Sequence, residues 1–352
     1  MKVGIITFHW AANYGAILQA YSLVEYLRNR YCANVEIIDY CPSNLEISYR
    51  NAIKHIRPKV VWTKIREVQK NKIVSPFRRK LPLSKRYYSN QEMMHSKMAY
   101  DIILTGSDQI WNPWFLLRGE KKITPAYFLD FAGDSVKKIS ISASFGCSTL
   151  PVNCYDIVKP LLERFDDISV RESSGIDILR SLSIDGGTVT ADPTALLSRM
   201  EYLAMCDSTP SPMIGRVTKM ILRRQSKEKK KRISQICANL SENKAYDLDC
   251  LSMSEWLTAI RDSAIVVTNS FHCVMMCLKL HTPFVVILEK GAGEGMNDRF
   301  FTLLSKFNLQ DRILETPGDV KKLSNIDFAK VDVCMEEYAQ TLKEYLERNI
   351  SL

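Results

Sequence analysis

Two of the chain's five histidines lie in TNSFHCVMMCLKLHTPFVVI, residues 268–287. The stretch reads as the end of an apolar strand, a polar turn, roughly three helical turns and a second apolar strand. Asn269 or Ser270 is a natural N-cap, which puts Phe271 and His272 in the first turn of the helix. Free amides and the helix dipole there favour an anion and oppose an imidazolium. A bound phosphate or carboxylate reverses that balance and keeps the His272 ring protonated, able to donate a proton. The alternative is a structural histidine bonded to a neighbouring loop; a strand-end position, rather than an apolar face, favours chemistry. His281 closes the same helix and reads as a cap on its last carbonyls.

Other residues with little use in a core also follow apolar runs. His9, Asn13, Tyr14 and Gly15 come after KVGIITF, and Ser107, Asp108, Gln109 and Trp111 come after YDIILTG. Ser144 and Phe145 follow ISISA, Arg171 and Glu172 end ISVRE, and Asp192 precedes Pro193-Thr194. Arg223 and Arg224 follow TKMIL, and Arg299 opens a helix after GMND. Asp108 follows a Gly-Ser turn that lifts it from its strand, which makes it the best carboxylate for chemistry, the alternative being a helix cap. Arg171 and Arg299 carry forks suited to a carboxylate or phosphate. Arg171 can instead pair with Glu172 or Asp167, Arg299 can be simply solvated, and Asp192 reads as holding the Pro193 turn.

The elements that must position these residues alternate strand and helix. KVGIITF suits a strand buried on both faces. The run 13–30 sets Ile17, Ala20, Tyr21, Val24 and Leu27 on one helical face, and VEIIDY is the next strand. Strands are expected at 100–106, 137–143, 167–172 and 187–194, with helices at 155–165 and 173–182. CDSTPSPMIG, 206–215, is the best linker. The rhythm then resumes with strands at 217–222, 244–249, 264–268 and 283–288, and a final helix at 333–349. The expected architecture is α/β, with two Rossmann-like lobes, each a parallel sheet, and a cleft between them. The N-terminal lobe spans 1–205 with a basic insertion at 50–90, the C-terminal lobe spans 206–325, and 326–352 is a helix returning to the first lobe. In such sheets ligands bind beyond the carboxyl ends of the strands, where the unusual residues fall. The dinucleotide fingerprint G-x-G-x-x-G is missing from the first strand–helix turn, HWAANYGA, which argues against a nicotinamide or flavin enzyme.

The length of 352 residues suits two domains, and 46% apolar with 25% charged residues is a globular composition. No apolar run is long enough to span a bilayer, and the first strand is too short for a secretion signal. The expected location is the cytoplasm. The ten cysteines include no C-x-x-C; Cys273 and Cys277, four apart on one helix, read as packing rather than as a metal pair. The net charge of +9 belongs to one region: 54–86 holds twelve Lys and Arg against a single acid, Glu67. Interleaved apolar residues suit it to an anionic membrane surface, the alternative being a solvated insertion. No nucleic-acid-binding pattern accompanies the charge.

At these residues the chain resembles the polysaccharide pyruvyltransferase family, through GIITFHWAANYGAILQAYSLVEYL, DIILTGSDQIWNP, ISASFG, ISVRESSG, ADPTALL, SEWLTAIRDSAIVVTNSFHCVMMCLKLHTPFVVI and NDRFFTLLSKFNLQDRI, in that order. The resemblance implies a bilobed fold like glycosyltransferases of the B type. It also implies transfer of a pyruvyl group from phosphoenolpyruvate, as donor substrate, to a sugar hydroxyl pair. The acceptor belongs to a capsular, exo- or cell-wall polysaccharide, galactose-type among the candidates, and is in some cases lipid-linked at the inner membrane face. No cofactor or metal is implied. His272 is then the acid or phosphate ligand, Asp108 the base, and Arg171 a holder of donor charge. Asn13, Tyr14, Gly15, Ser107, Ser144, Arg223, Asn269, Ser270, Phe271 and Arg299 would line the substrates. Some members read Arg-Leu-His where this chain has Ser270-Phe271-His272, so that arginine's work falls to Arg171, Arg223, Arg299 or backbone amides. The competing readings are a nucleotide-sugar glycosyltransferase of the same fold, told apart by nucleotide release, and a non-catalytic sugar-binding relative.

Overall fold

The structure is a computed structural model that describes residues 1–42, 58–96, 98–113, 125–222 and 226–350. It divides into two compact units, Met1–Leu196 with Ala339–Leu352, and Leu197–Tyr338.

In the first unit, strands β1 (Lys2–Ile6), β2 (Asn34–Ile37), β3 (Ile102–Gly106) and β4 (Lys137–Ile141) form a parallel sheet in the order β2-β1-β3-β4. Parallel bridges Ile139↔Asp167 and Ala143↔Val170 carry it on to the two-stranded pair β5 (Ser169–Val170) and β6 (Thr188–Val189). Helices α1 (Tyr14–Tyr31), α2 (Pro58–Arg78), α3 (Asn90–Met94), α4 (Tyr155–Leu162) and α5 (Ser173–Ser181) belong to this unit. Local signals set the helix ends. Asn13 Oδ1 accepts the Gly15 amide at 3.0 Å to start α1, and Cys32 takes a left-handed φ of 49° to end it.

The loop after β3 is held by its own aromatic residue. Trp111 is fully buried, stacks on Phe128 with centroids 5.5 Å apart, and donates its indole N–H to the Tyr127 carbonyl at 3.0 Å. Such a ring contact adds about 0.5–1.5 kcal/mol beyond the area it buries. Trp111 therefore anchors SDQIW and does not face a ligand. Gly106 precedes this loop with φ 129°, and a Cβ there would sit 2.1 Å from the Ile141 carbonyl of the paired strand. Only glycine fits that register.

The second unit repeats the pattern. Strands β7 (Val217–Met220), β8 (Tyr246–Asp247), β9 (Ile265–Thr268) and β10 (Phe284–Val286) are parallel in the order β10-β9-β7-β8. The helices are α6 (Arg199–Met205), α7 (Lys227–Leu240), α8 (Met253–Asp262), α9 (Phe271–Leu280) and α10 (Asp298–Lys306). Capping boxes Ser198/Glu201 and Ser252/Glu255 start α6 and α8, the S-x-x-E signature readable in the sequence. The stretch 206–215 is pinned to α8: Asp207 N bonds Thr258 Oγ1, and Ser211 N bonds Asp262 Oδ2, both at 2.7 Å. Helix α11 (Phe328–Ile350) begins in this unit and ends in the first.

Both sheets are all-parallel, and both reverse strand order beside their first strand, between β1 and β3 and between β7 and β9. The α/β reading of the sequence holds. The reversal point is where such sheets open a crevice for ligands.

Candidate active site

In the first unit, the loops leaving β1, β3, β4, β5 and β6 are joined by a buried polar network. Gln19, enclosed on α1, receives the Ser107 amide at 3.1 Å and donates to Thr7 Oγ1 at 2.9 Å, which ties the β1 and β3 ends together. Ser107 Oγ donates to Asp192 Oδ2 at 2.9 Å, and Asp192 Oδ1 accepts from Thr194 N and Oγ1 at 3.0 and 2.7 Å. Arg171 Nη1 meets Asp192 Oδ2 at 3.1 Å, and its Nε lies 3.5 Å from Glu172 Oε2. Glu172 Oε1 in turn accepts from Ser144 Oγ. Burial opposes the charge on Arg171, but Glu172, Asp192 and Asp108 outweigh it and hold its pKa above the ordinary value. The Arg171 side chain has no exposed surface and serves two acids. Its fork therefore orders loops rather than reaching out to an anion.

Asp108 differs from these neighbours. It is half-buried, adopts φ 67°, and accepts the Gln109 amide on Oδ1 at 2.8 Å. Its carbonyl takes the Ser144 amide at 3.0 Å. Glu172 and Asp192 are buried, which leaves Asp108 the more reachable acid of the three. Ser107 and Ser144 are fully buried and work as struts. Asn13 is half-buried at the start of α1, while Tyr14 and Gly15 are enclosed behind it.

In the second unit, the register Met220↔Thr268 brings the ends of β7 and β9 together. Asn269 reads both sides of Leu222: its Oδ1 accepts that amide at 2.6 Å and its Nδ2 donates to that carbonyl at 3.0 Å. Asn269 also donates to Glu289, which pairs with Lys229 on α7. Asn297, just before α10, clasps the Glu289 backbone at 3.0 and 2.8 Å. Ser270 caps α9 through the Cys273 amide at 3.4 Å. His272 is thus the second residue of a helix whose start is stitched to β7, β10 and α10, and it is 5% exposed. Phe271 packs on Phe300, centroids 6.5 Å apart, which joins the first turns of α9 and α10. Arg299 stands in that second first turn, half-buried, over the Phe300 ring at 5.1 Å.

Each unit therefore carries its own expected residues in the segments that follow its strands: Asn13, Ser107, Asp108, Ser144 and Arg171 in one, Asn269, Ser270, His272 and Arg299 in the other. Arg223 and Arg224 lie outside the described residues. Cys273 and Cys277 are both fully buried, and burial followed by the neighbouring Cys273 pushes the Cys277 thiol well up. A groove of about 600 Å³ lies elsewhere in the second unit, between α7 and β7–β8, lined by Lys219, Ile233, Cys237 and Lys244 among others, and no expected site residue borders it.

Sequence reasoning missed the partners. Gln19 carried a signal, a polar residue on an apolar helix stripe. So did the ion pair at the end of β2, where buried His9 bonds Asp39 Oδ1 at 2.9 Å and Arg86 Nε bonds Asp39 Oδ2 at 3.0 Å. Glu289, distant in sequence from Asn269 and Lys229, carried none.

A family model described as polysaccharide pyruvyl transferase matches residues 13–290. No curated protein matches the chain. Among solved structures, one described as a UDP-N-acetylglucosamine 2-epimerase from Listeria monocytogenes is 10% identical, covers 99% of this chain and 97% of its own, and superposes with a TM-score of 0.52. The glycotransferase of kitacinnamycin, 9% identical over 99% of this chain and 98% of its own, gives 0.46. The UDP-GlcNAc 2-epimerase of Neisseria meningitidis, 10% identical over 100% and 94%, gives 0.44. At these identities the likeness concerns the fold alone.

Proposed function

Because this chain belongs to the polysaccharide pyruvyl transferase family, we propose that it moves a pyruvyl group from phosphoenolpyruvate onto two hydroxyls of a sugar, closing a cyclic ketal. The sugar is part of a capsular, exo- or cell-wall polysaccharide, galactose-type in the first instance. The observation that carries the reading beyond the family match is His272 in the first turn of α9, at the sheet's reversal point.

Phosphoenolpyruvate brings a phosphate and a carboxylate, and a helix start receives such an anion through its amides. Protonation of the methylene carbon turns it into a methyl group and leaves the adjacent carbon open to the first hydroxyl. The second hydroxyl then displaces inorganic phosphate from that carbon. Of the two hydroxyl protons, one balances the proton placed on carbon and the other leaves with phosphate. His272 is the proton donor, and a phosphate at the α9 amides keeps it charged. Asp108 accepts the hydroxyl proton, while Arg171 acts through Asp192 and Glu172 to hold the loops that carry it. Arg299, at the start of α10, holds charge on the donor.

We also propose that the acceptor is lipid-linked and that the basic region meets the anionic inner face of the membrane. No described helix is long and apolar enough to cross a membrane. Helix α2 packs through Val74 and Phe77, with Tyr21 5.0 Å from Phe77, and keeps Ile65 and Val68 exposed at 43% and 47%. Exposed Lys72, Arg79, Lys80 and Lys85 follow. Lys54 and Arg57 lie outside the described residues.

The test is phosphoenolpyruvate with a panel of sugar acceptors, following phosphate release and the mass of the product. His272→Ala is expected to lose about 10²–10⁴ of kcat, the worth of a general acid. Unimpaired turnover in that variant, or nucleotide release from a sugar nucleotide by the wild type, overturns the assignment.

A further inference from the structure

Trp10 has no part in the network above, yet the structure holds it rigidly at the reversal point beside β1. Its indole Nε1 donates to the Tyr127 hydroxyl at 3.2 Å. Phe8 stands edge-on to it with centroids 5.9 Å apart, and Phe8 meets Tyr127 the same way at 4.8 Å. Tyr127 and Tyr40 beneath are 2% and 0% exposed, while Trp10 remains half-exposed. The backbone under it is pinned from three sides. Ala11 N closes a turn onto Phe8 O at 3.1 Å, and Arg78 Nη2 reaches Ala11 O from α2 at 3.3 Å. His9, 1% exposed, is clamped between Thr7 O at 3.1 Å and Asp39 at 2.9 Å.

A solvated loop does not need that much support. The residues that follow, Ala11 and Ala12, are small and half-exposed, so the approach is open. Asn13 then commits only its Oδ1, to Gly15 N, and among the described residues its amide N–H₂ has no partner. A fixed aromatic side chain with a hydrogen-bond donor in the same loop suits one chemical class well: a pyranose, whose ring C–H groups pack on the indole while its hydroxyls take the donor. Rigid placement matters because each ordered rotamer would otherwise be charged against binding.

We infer that Trp10, with Asn13 in the same loop, is the stacking platform for the sugar ring of the acceptor. The inference rests on the pyruvyl-transfer reading for what the sugar is, and on this loop alone for where it sits. Trp10→Leu keeps bulk and removes the π-face, Trp10→Phe keeps a face, and Tyr127→Phe removes the hydrogen bond common to both losses. With transfer as the readout, Trp10→Leu is expected to raise the acceptor KM at least tenfold and to leave the phosphoenolpyruvate KM within twofold. Trp10→Phe and Tyr127→Phe are expected to raise the acceptor KM less than threefold. An acceptor KM within twofold in Trp10→Leu, equal effects in Leu and Phe, or a parallel rise for both substrates overturns the platform. Saturation-transfer NMR with the methyl glycosides of galactose, glucose and N-acetylmannosamine decides it independently of turnover. Ring-proton contact present in the wild type and lost in Trp10→Leu supports the platform. No contact with any of the three, or contact undiminished in the variant, rejects it. A wild type that binds sugar but transfers no pyruvyl group removes the functional reading and leaves this one standing.

Discussion

Asp192→Ala tests whether the buried acids around Arg171 hold the first unit's loops together. Asp192 is fully buried, and its carboxylate meets Arg171 Nη1 at 3.1 Å, Ser107 Oγ at 2.9 Å, Thr194 N at 3.0 Å and Thr194 Oγ1 at 2.7 Å. The substitution takes one acid from a guanidinium with no exposed surface and leaves it Glu172 at 3.5 Å and the nearby Asp108. Removing one partner of a buried ion pair costs about 3–5 kcal/mol, because the other charge stays desolvated. Each orphaned polar group adds to this, but the contacts share one carboxylate and do not sum. For a unit of this size, that cost lowers Tm by roughly 6–20 °C. Asp192→Asn, which keeps an acceptor for Thr194 but loses the charge, is expected to fall between. Thermal melts give the magnitude, and hydrogen exchange read by mass spectrometry gives the place. Protection is expected to drop in 102–108 and 167–172 and to hold in 265–280. A Tm drop under about 2 °C, or protection lost equally in both units, refutes the reasoning.

Two further outcomes follow from charges elsewhere. Burial raises the pKa of Asp39, but the hydrogen bonds from His9 and Arg86 outweigh it and hold the carboxyl below its usual value. A carboxylate depressed in the folded state stabilises above its unfolded pKa, and that stability is lost as pH falls through the folded one. Asp39→Asn is therefore expected to be less stable than the wild type at neutral pH, with the gap in urea midpoint closing below about pH 4; a gap constant with pH contradicts this. For membrane contact, replacing Lys72, Arg79 and Lys85 by Gln spares Arg78, which supports the Ala11 turn. At about 1 kcal/mol per cation near an anionic surface, partition onto phosphatidylserine vesicles is expected to fall on the order of a hundredfold, and a fall under about threefold leaves α2 a solvated face.

Much of the scaffold was legible locally. Apolar runs marked β1, β3, β4, β7, β9 and β10, a periodic stretch marked α1, and an Asn or Ser cap marked the start of α9, because pairing pattern and capping depend on neighbours within a few residues. The short strands were less legible. Expected at 167–172, 187–194 and 244–249, β5, β6 and β8 keep only two residues each. Their ends bend away to make loops and turns, such as the one Asp192 caps for Thr194.

The set of candidate residues could be named from their positions after strands; what each one does could not. Arg171 reads in the sequence either as a fork for an anion or as a partner of Glu172 or Asp167. The parallel packing of β4, β5 and β6 adds Asp192 to Glu172 against it and encloses the side chain. Trp111 follows a strand just as Asp108 does, but one packs into an aromatic core while the other stays half-buried in a left-handed turn. Sequence alone determined the α/β alternation, the capped start of α9 with His272 in its first turn, and the concentration of positive charge near α2. Tertiary structure decided which polar residues are struts and which are reachable. That depends on partners such as Gln19 and Ser107, brought within 3.1 Å by strand order across a long span of chain, and no local pattern encodes such a distance.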